Sequence, residues 1–238
     1  MRVQTNQSNR IINQIRMKEL KDLIHLEEPG WNLVQGWLND AKNQCEVLPK
    51  DSRRANKELV NAQVTTRSSM GSVIYETGGI LIDYGWIRIL GSGSCKLDRG
   101  LAEWNKDKIL KNLGDVSDFL LIADDVIGGF FAVNAGRFGE DIGKIYYLAQ
   151  DTLEWENLGC GYSGFLNWAF NGDIPLFYNG FRWKTWKIDI EKLNGNEVFS
   201  FFPFLWTEQG QNIGTVQRGI IPIEEHYHFT IQMQDQNI

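Results

Sequence analysis

Three cysteines in 238 residues, Cys45, Cys95 and Cys160, are an odd number, far apart and without any C-x-x-C pair. They define neither a disulfide framework nor a cysteine-based zinc site, and reduced thiols in a cytoplasmic protein are the expectation. No apolar run is long enough to cross a membrane as a helix. The first residues, rich in Asn, Gln and Arg, lack the apolar centre of a secretory signal. Met1 to Arg16 therefore reads as a disordered lead-in, with organised sequence, and a candidate start, at Met17. Neither an internal repeat nor a proline-rich linker divides the remainder, so residues 17–238 are expected to form a single α+β domain.

A surplus of basic residues is also missing. Lys and Arg number 24 against 30 Asp and Glu, a net charge of −6. The imbalance is concentrated: between Asp115 and Cys160 nine acids face two bases, Arg137 and Lys144, while the rest of the chain is close to neutral. Such a segment is either a solvated face or a docking surface for a basic protein partner, because complementary charge speeds encounter and selects partners. Phosphates would be repelled, so nucleic acid is not expected as a ligand, nor is a membrane. Aromatic residues, by contrast, are abundant, with nine Trp and thirteen Phe. Their first use is core packing.

Periodicity divides the chain into blocks. Helical spacing predicts helices over Lys18–Leu26, from Trp31 to before Lys42, and over Asp51–Val64, the last capped by Asp51-Ser52. Strand signals then take over. Val73–Glu76, Ile80–Asp83 and Trp86–Leu90, separated by glycine-bearing turns, predict a three-stranded meander. A helix is predicted over Leu101–Lys111. A second meander follows through Phe119–Asp125, Phe130–Val133, Ile145–Leu148 and Thr152–Trp155, with Gly128-Gly129 and Gln150-Asp151 as turn signals. Ser163–Phe170, Ile174–Asn179 and Trp183–Leu193 read as helices, while Phe199–Trp206, Ile220–Ile223 and Tyr227–Met233 read as closing strands. Blocks of strand and blocks of helix without strict alternation make the class α+β, an antiparallel β-meander sheet with helices packed on it.

Motifs that imitate catalysis fail on their spacing. Gly161-Tyr162-Ser163-Gly164 is one residue short of a nucleophile elbow, and Ser163 is expected to cap the following helix instead. Gly91–Ser94 with Lys96 lacks the G-K-[ST] of a phosphate loop and reads as a flexible loop. His226 and His228, one residue apart, would share a strand face with Glu224 or Glu225 nearby, but nothing points to further ligands, and no metal is expected. No catalytic residue and no cofactor are assigned. Asp124-Asp125, just before the Gly128-Gly129 turn, invites acid–base chemistry. Turn chemistry, with Asp accepting from nearby backbone N–H groups, is the stronger reading.

The stretches F-L-L-I-A-D-D-V-I-G-G-F-F-A-V-N, I-Y-Y-L, D-T-L-E-W-E-N-L and Y-S-G-F-L-N-W, between Phe119 and Trp168, resemble the core of the SUKH superfamily. That group includes yeast cell-wall assembly regulators of the Smi/Knr type and bacterial immunity proteins. In the resemblance Asp125, Gly128 and Gly129 match its turn, Phe131 and Val133 its strand, and Phe165 and Leu166 its helix, within a core of about residues 72–170. From Met17 onward, E-P-G-W, V-T-T-R-S, Y-E-T-G-G-I-L-I-D-Y-G-W-I-R-I-L-G-S-G and F-P-F-L-W-T-E resemble a bacterial family of unknown function. The superfamily resemblance implies a domain without an established catalytic site that binds and neutralises toxins, many of them nucleases. With the acidic middle, it leads to the expectation of a non-catalytic binding module for a basic partner, met by Asp124, Asp125, Glu154, Trp155 and Glu156. The alternative is a small-ligand binder or hydrolase with an aromatic pocket lined by Trp86, Arg88, Tyr146 and Trp155.

Overall fold

The computed structural model describes residues 17–109 and 117–236, and its class is α+β. Seven antiparallel strands form one sheet in sequence order, β1 (Cys45–Leu48), β2 (Gly79–Ile82), β3 (Ile87–Leu90), β4 (Phe119–Asp125), β5 (Phe130–Asn134), β6 (Lys144–Leu148) and β7 (Trp155–Gly161). β8 (Glu197–Phe202) and β9 (Gln217–Pro222) form a separate hairpin. From β2 onward neighbours in the chain are neighbours in the sheet, the simplest way to satisfy strand hydrogen bonds across short turns. The predicted lead-in, Met1–Arg16, lies outside the described residues, as does Asp115.

Nine α-helices are present among the described residues: α1 (Leu20–Leu23), α2 (Trp31–Asn39), α3 (Ser52–Ala62), α4 (Ser69–Glu76), α5 (Leu101–Ile109), α6 (Tyr162–Asn171), α7 (Ile174–Phe177), α8 (Trp186–Ile190) and α9 (Ile223–Gln236). Asp51 caps α3 as its sequence foretells, accepting from the Arg54 N–H at 2.9 Å. Strand alternation decides which helices meet which face. Phe131 and Tyr147 turn to one side, where Phe131 meets Phe165 of α6 and Tyr147 meets Phe177 of α7, at ring separations of 5.0 and 5.2 Å. Phe130 turns to the other, against Tyr227 of α9 at 5.2 Å. The buried apolar side chains make one continuous cluster through the sheet and its helices.

Several elements correct the reading of the sequence: the strand expected at Thr152–Trp155 lies at Trp155–Gly161, and the one expected at Phe199–Trp206 runs from Glu197 and ends at Phe202. Val73–Glu76 belongs to α4, not to a strand, because Ser68 accepts from the Gly71 N–H and starts a helix that carries the β-branched pair inward. The strand paired with β2 is β1, in the preceding segment. Tyr227–Met233 is likewise helical, within α9, which buries Ile223, Tyr227 and Thr230 at helical spacing.

Candidate functional site

A buried cluster of charged side chains grows from the pairing of β3 with β4. Their register sets Arg88 opposite Asp124, both pointing to the same side. Arg88 donates from Nε to Asp124 Oδ1 at 2.6 Å, and Arg99, reaching from the segment before α5, donates to Oδ2 at 2.8 Å. All three side chains are buried. Burial lowers Arg99 from its ordinary value, and the Asp124 carboxylate opposes that shift. The two guanidinium groups also donate outward to the start of β8 and the turn before it, Arg88 to the Glu197 carbonyl at 2.6 Å and Arg99 to the Gly195 carbonyl at 2.8 Å. This cluster ties the hairpin to the sheet. A single carboxylate holding two forked donors supplies the pairing without which buried charge is prohibitive.

Asp125 does something different one residue later. Its Oδ1 accepts from the backbone N–H groups of Ile127 and Gly129 at 3.0 and 2.8 Å, the turn chemistry expected of it. Its Oδ2 accepts from Tyr147 and Tyr178 at 2.8 and 2.9 Å, so the carboxylate is fully engaged. Burial pushes the Asp125 carboxyl up from its ordinary value and these hydrogen bonds pull it back. Both aspartates are 0% exposed, which corrects their expected place on a partner-facing surface. The sequence density of acid is real, but two of its members serve the interior.

The remaining expected carboxylates do reach solvent. Glu154 and Glu156 are exposed with Asp151 around the β6–β7 turn, and Trp155 between them is half-buried against Phe138 at 4.6 Å. β7 is an edge strand, paired on one side only by β6. Partial burial raises the Glu156 carboxyl first, and the charges of Asp151 and Glu154 raise it further. Among the described residues no base forms an ion pair with any of the three.

The expected aromatic pocket does not assemble. Tyr146 and Trp155 belong to a group with Phe138, where Tyr146 donates to Asp141. Trp86 is sealed among Tyr178, Trp183 and Trp186 elsewhere, and Arg88 is spent on Asp124. The Gly91–Ser94 segment offers no phosphate cradle, because the N–H groups of Ser92, Gly93 and Ser94 already donate to Thr77, Gly78 and Leu97. Ser163 lies inside α6 and shares a 2.9 Å hydrogen bond with Ser69, so it is not the expected cap, which falls at Gly161 without side-chain help. On α9, His226 is buried and His228 exposed, so the two imidazoles do not face one way as a strand would have made them. Among the described residues no group of three or more His, Cys, Asp or Glu is placed to hold a metal.

Sequence reasoning missed Arg99, Tyr178 and Glu58. Glu58 of α3 accepts from the Ala102 and Glu103 N–H groups, capping α5 from a distance of more than forty residues in the chain. No local pattern marks these residues, since each finds its partner only through tertiary contact. No helix among the described residues is long and apolar enough to cross a membrane.

A protein of Haemophilus influenzae (strain ATCC 51907 / DSM 11121 / KW20 / Rd), described as "Uncharacterized protein", is 48% identical over 211 residues, which span 89% of this chain and 92% of the relative. The "Putative uncharacterized protein YbfG" of Escherichia coli (strain K12) is 42% identical over 219 residues, or 92% of this chain and 98% of the relative. Residues 20–226 match the family described as "Protein of unknown function DUF2625", and the chain belongs to it.

Proposed function

We propose that this protein is a non-catalytic binding module that meets a basic protein partner through the acidic edge at β7. The observation that carries this reading is the exposed trio Asp151, Glu154 and Glu156, held close with no ion-paired base among the described residues. Gathering like charges on an open edge disfavours the free protein, and an arriving cation relieves the repulsion. Half-buried Trp155 supplies an apolar contact in the middle of the patch. The bland role of such a face, keeping an edge strand from pairing with other chains, uses the same charges. The resemblance of Phe119–Trp168 to the SUKH core favours a partner of the toxin class, neutralised by an immunity-type protein in the cytoplasm.

The test compares capture by the wild-type chain with capture by a variant carrying Asp151→Lys, Glu154→Lys and Glu156→Lys, at low and high salt. A stoichiometric basic protein should bind the wild type, leave at high salt and fail to bind the folded variant. Capture that survives charge reversal overturns the reading. Trp86 and Arg88 are committed to the interior, so the small-ligand alternative loses the lining first expected for it.

A further inference from the structure

The sequence contains three Asn-Gly pairs, Asn171-Gly172, Asn179-Gly180 and Asn194-Gly195. All three carry the same covalent chemistry. The glycine backbone nitrogen can attack Cγ of the asparagine side chain, since glycine has no Cβ to hinder closure of the five-membered ring. The fold treats the three pairs differently.

Asn171 ends α6, and the Gly172 N–H donates to the Trp168 carbonyl at 2.6 Å. The attacking nitrogen is therefore engaged, and that hydrogen bond must break before a ring can form. A Cβ at Gly172 would lie 2.5 Å from the Trp168 side chain, so the backbone has little room to turn. Asn194 is restrained through its own side chain, whose Oδ1 accepts from the Asn196 N–H at 2.8 Å. Its neighbour Gly195 is fixed by Arg99, which donates to its carbonyl, and is pressed against Lys96, whose carbonyl would lie 2.2 Å from a Cβ there.

Asn179 and Gly180, in the turn after α7, have none of these restraints, and both are exposed. Among the described residues neither the Asn179 side chain nor the Gly180 N–H has a hydrogen-bond partner. Around Gly180, which has a φ of +88°, nothing lies within 4 Å of a Cβ position. Nucleophile and carbonyl are both free, in open space.

We propose that Asn179 is a site of spontaneous modification, deamidating through a cyclic imide. The Gly180 nitrogen bonds to Cγ of Asn179 and gives up its proton, while the Cγ–Nδ2 bond breaks and the side-chain nitrogen leaves as ammonia. Water then opens the imide at either carbonyl, giving aspartate or isoaspartate. One water is consumed and one ammonia released, with no oxidant, reductant or cofactor. Each event adds a negative charge beside Tyr178, which donates to Asp125, and isoaspartate also inserts a methylene into the main chain there.

Peptide mapping by mass spectrometry, on the full chain incubated in mildly alkaline buffer, tests the proposal. The peptide with Asn179 should convert to two acids, aspartate and isoaspartate. It should do so about tenfold faster than the peptides with Asn171 and Asn194, the rate difference made by one hydrogen bond that must break first. In urea, where the fold is gone, the three pairs should convert at similar rates. Conversion of Asn179 no faster than that of the other two in the folded chain, formation of aspartate without isoaspartate, or the same ranking in urea overturns the proposal.

Discussion

Asp124 and Asp125 on one side, and Asp151, Glu154 and Glu156 on the other, are the same chemistry in the same acidic segment with opposite fates. The first pair is sealed in the sheet, matched by Arg88, Arg99, two tyrosine hydroxyls and two backbone N–H groups. The trio is exposed and its members press on one another. The difference is not local composition. It is whether the sheet register and the α5 segment deliver donors to the carboxylate before solvent can. A carboxylate met by donors becomes part of the scaffold, and one left in water is available for recognition.

That contrast can be broken from its buried side with the largest effect. Asp124→Asn leaves two buried guanidinium groups without their carboxylate, and urea denaturation should show a loss of about 3–5 kcal/mol. His226 gives a pH-dependent form of the same lesson. Burial lowers its pKa from 6.5 to about 4, so the unfolded chain takes up a proton that the folded chain refuses between those values. Stability contributed by neutral His226 is thus present above pH 6.5 and is lost as the pH falls toward 4, by roughly 3 kcal/mol in all. Melting curves across this range should be flatter in a His226→Gln variant than in the wild type.

Smaller changes sharpen the comparison. Tyr178→Phe removes one hydroxyl donor from Asp125, which the remaining three donors partly cover, and roughly 2 kcal/mol of stability should go with it in the same denaturation experiment. At the edge the expectation reverses. Glu156→Gln relieves repulsion from Asp151 and Glu154, and its melting temperature should be unchanged or slightly higher, a change within about 0.5 kcal/mol. A destabilisation as large as that of Asp124→Asn would show the trio to be structural after all.

Much of the fold was legible because its signals are short-range. Gly128-Gly129 with Asp125 marks a turn by backbone chemistry alone, and the meander from β4 to β6 follows from alternating apolar runs around such turns, whereas the fourth strand lies after the expected Thr152–Trp155, at Trp155–Gly161. Where two periods compete, the reading failed. Val73-Ile74-Tyr75 and Tyr227–Met233 carry residues that favour strands, yet both lie in helices. The Ser68 cap was the available signal for the first, and the spacing of Ile223, Tyr227 and Ile231 for the second. The candidate site was less legible than the fold. Glu154 and Glu156 could be placed on the surface from their charge, but Asp124 looks the same in sequence.

The sequence by itself determined the α+β class, the antiparallel meander and the concentration of acid in the middle of the chain, because turns, periodicity and charge are properties of neighbours. Tertiary structure alone decided which acids face solvent, that Arg88 and Arg99 share Asp124, and that Gln150 meets His226. Those outcomes depend on groups from 25 to 76 residues apart in the chain. Burial and pairing are set by what arrives from elsewhere in the fold, and no local pattern carries that information.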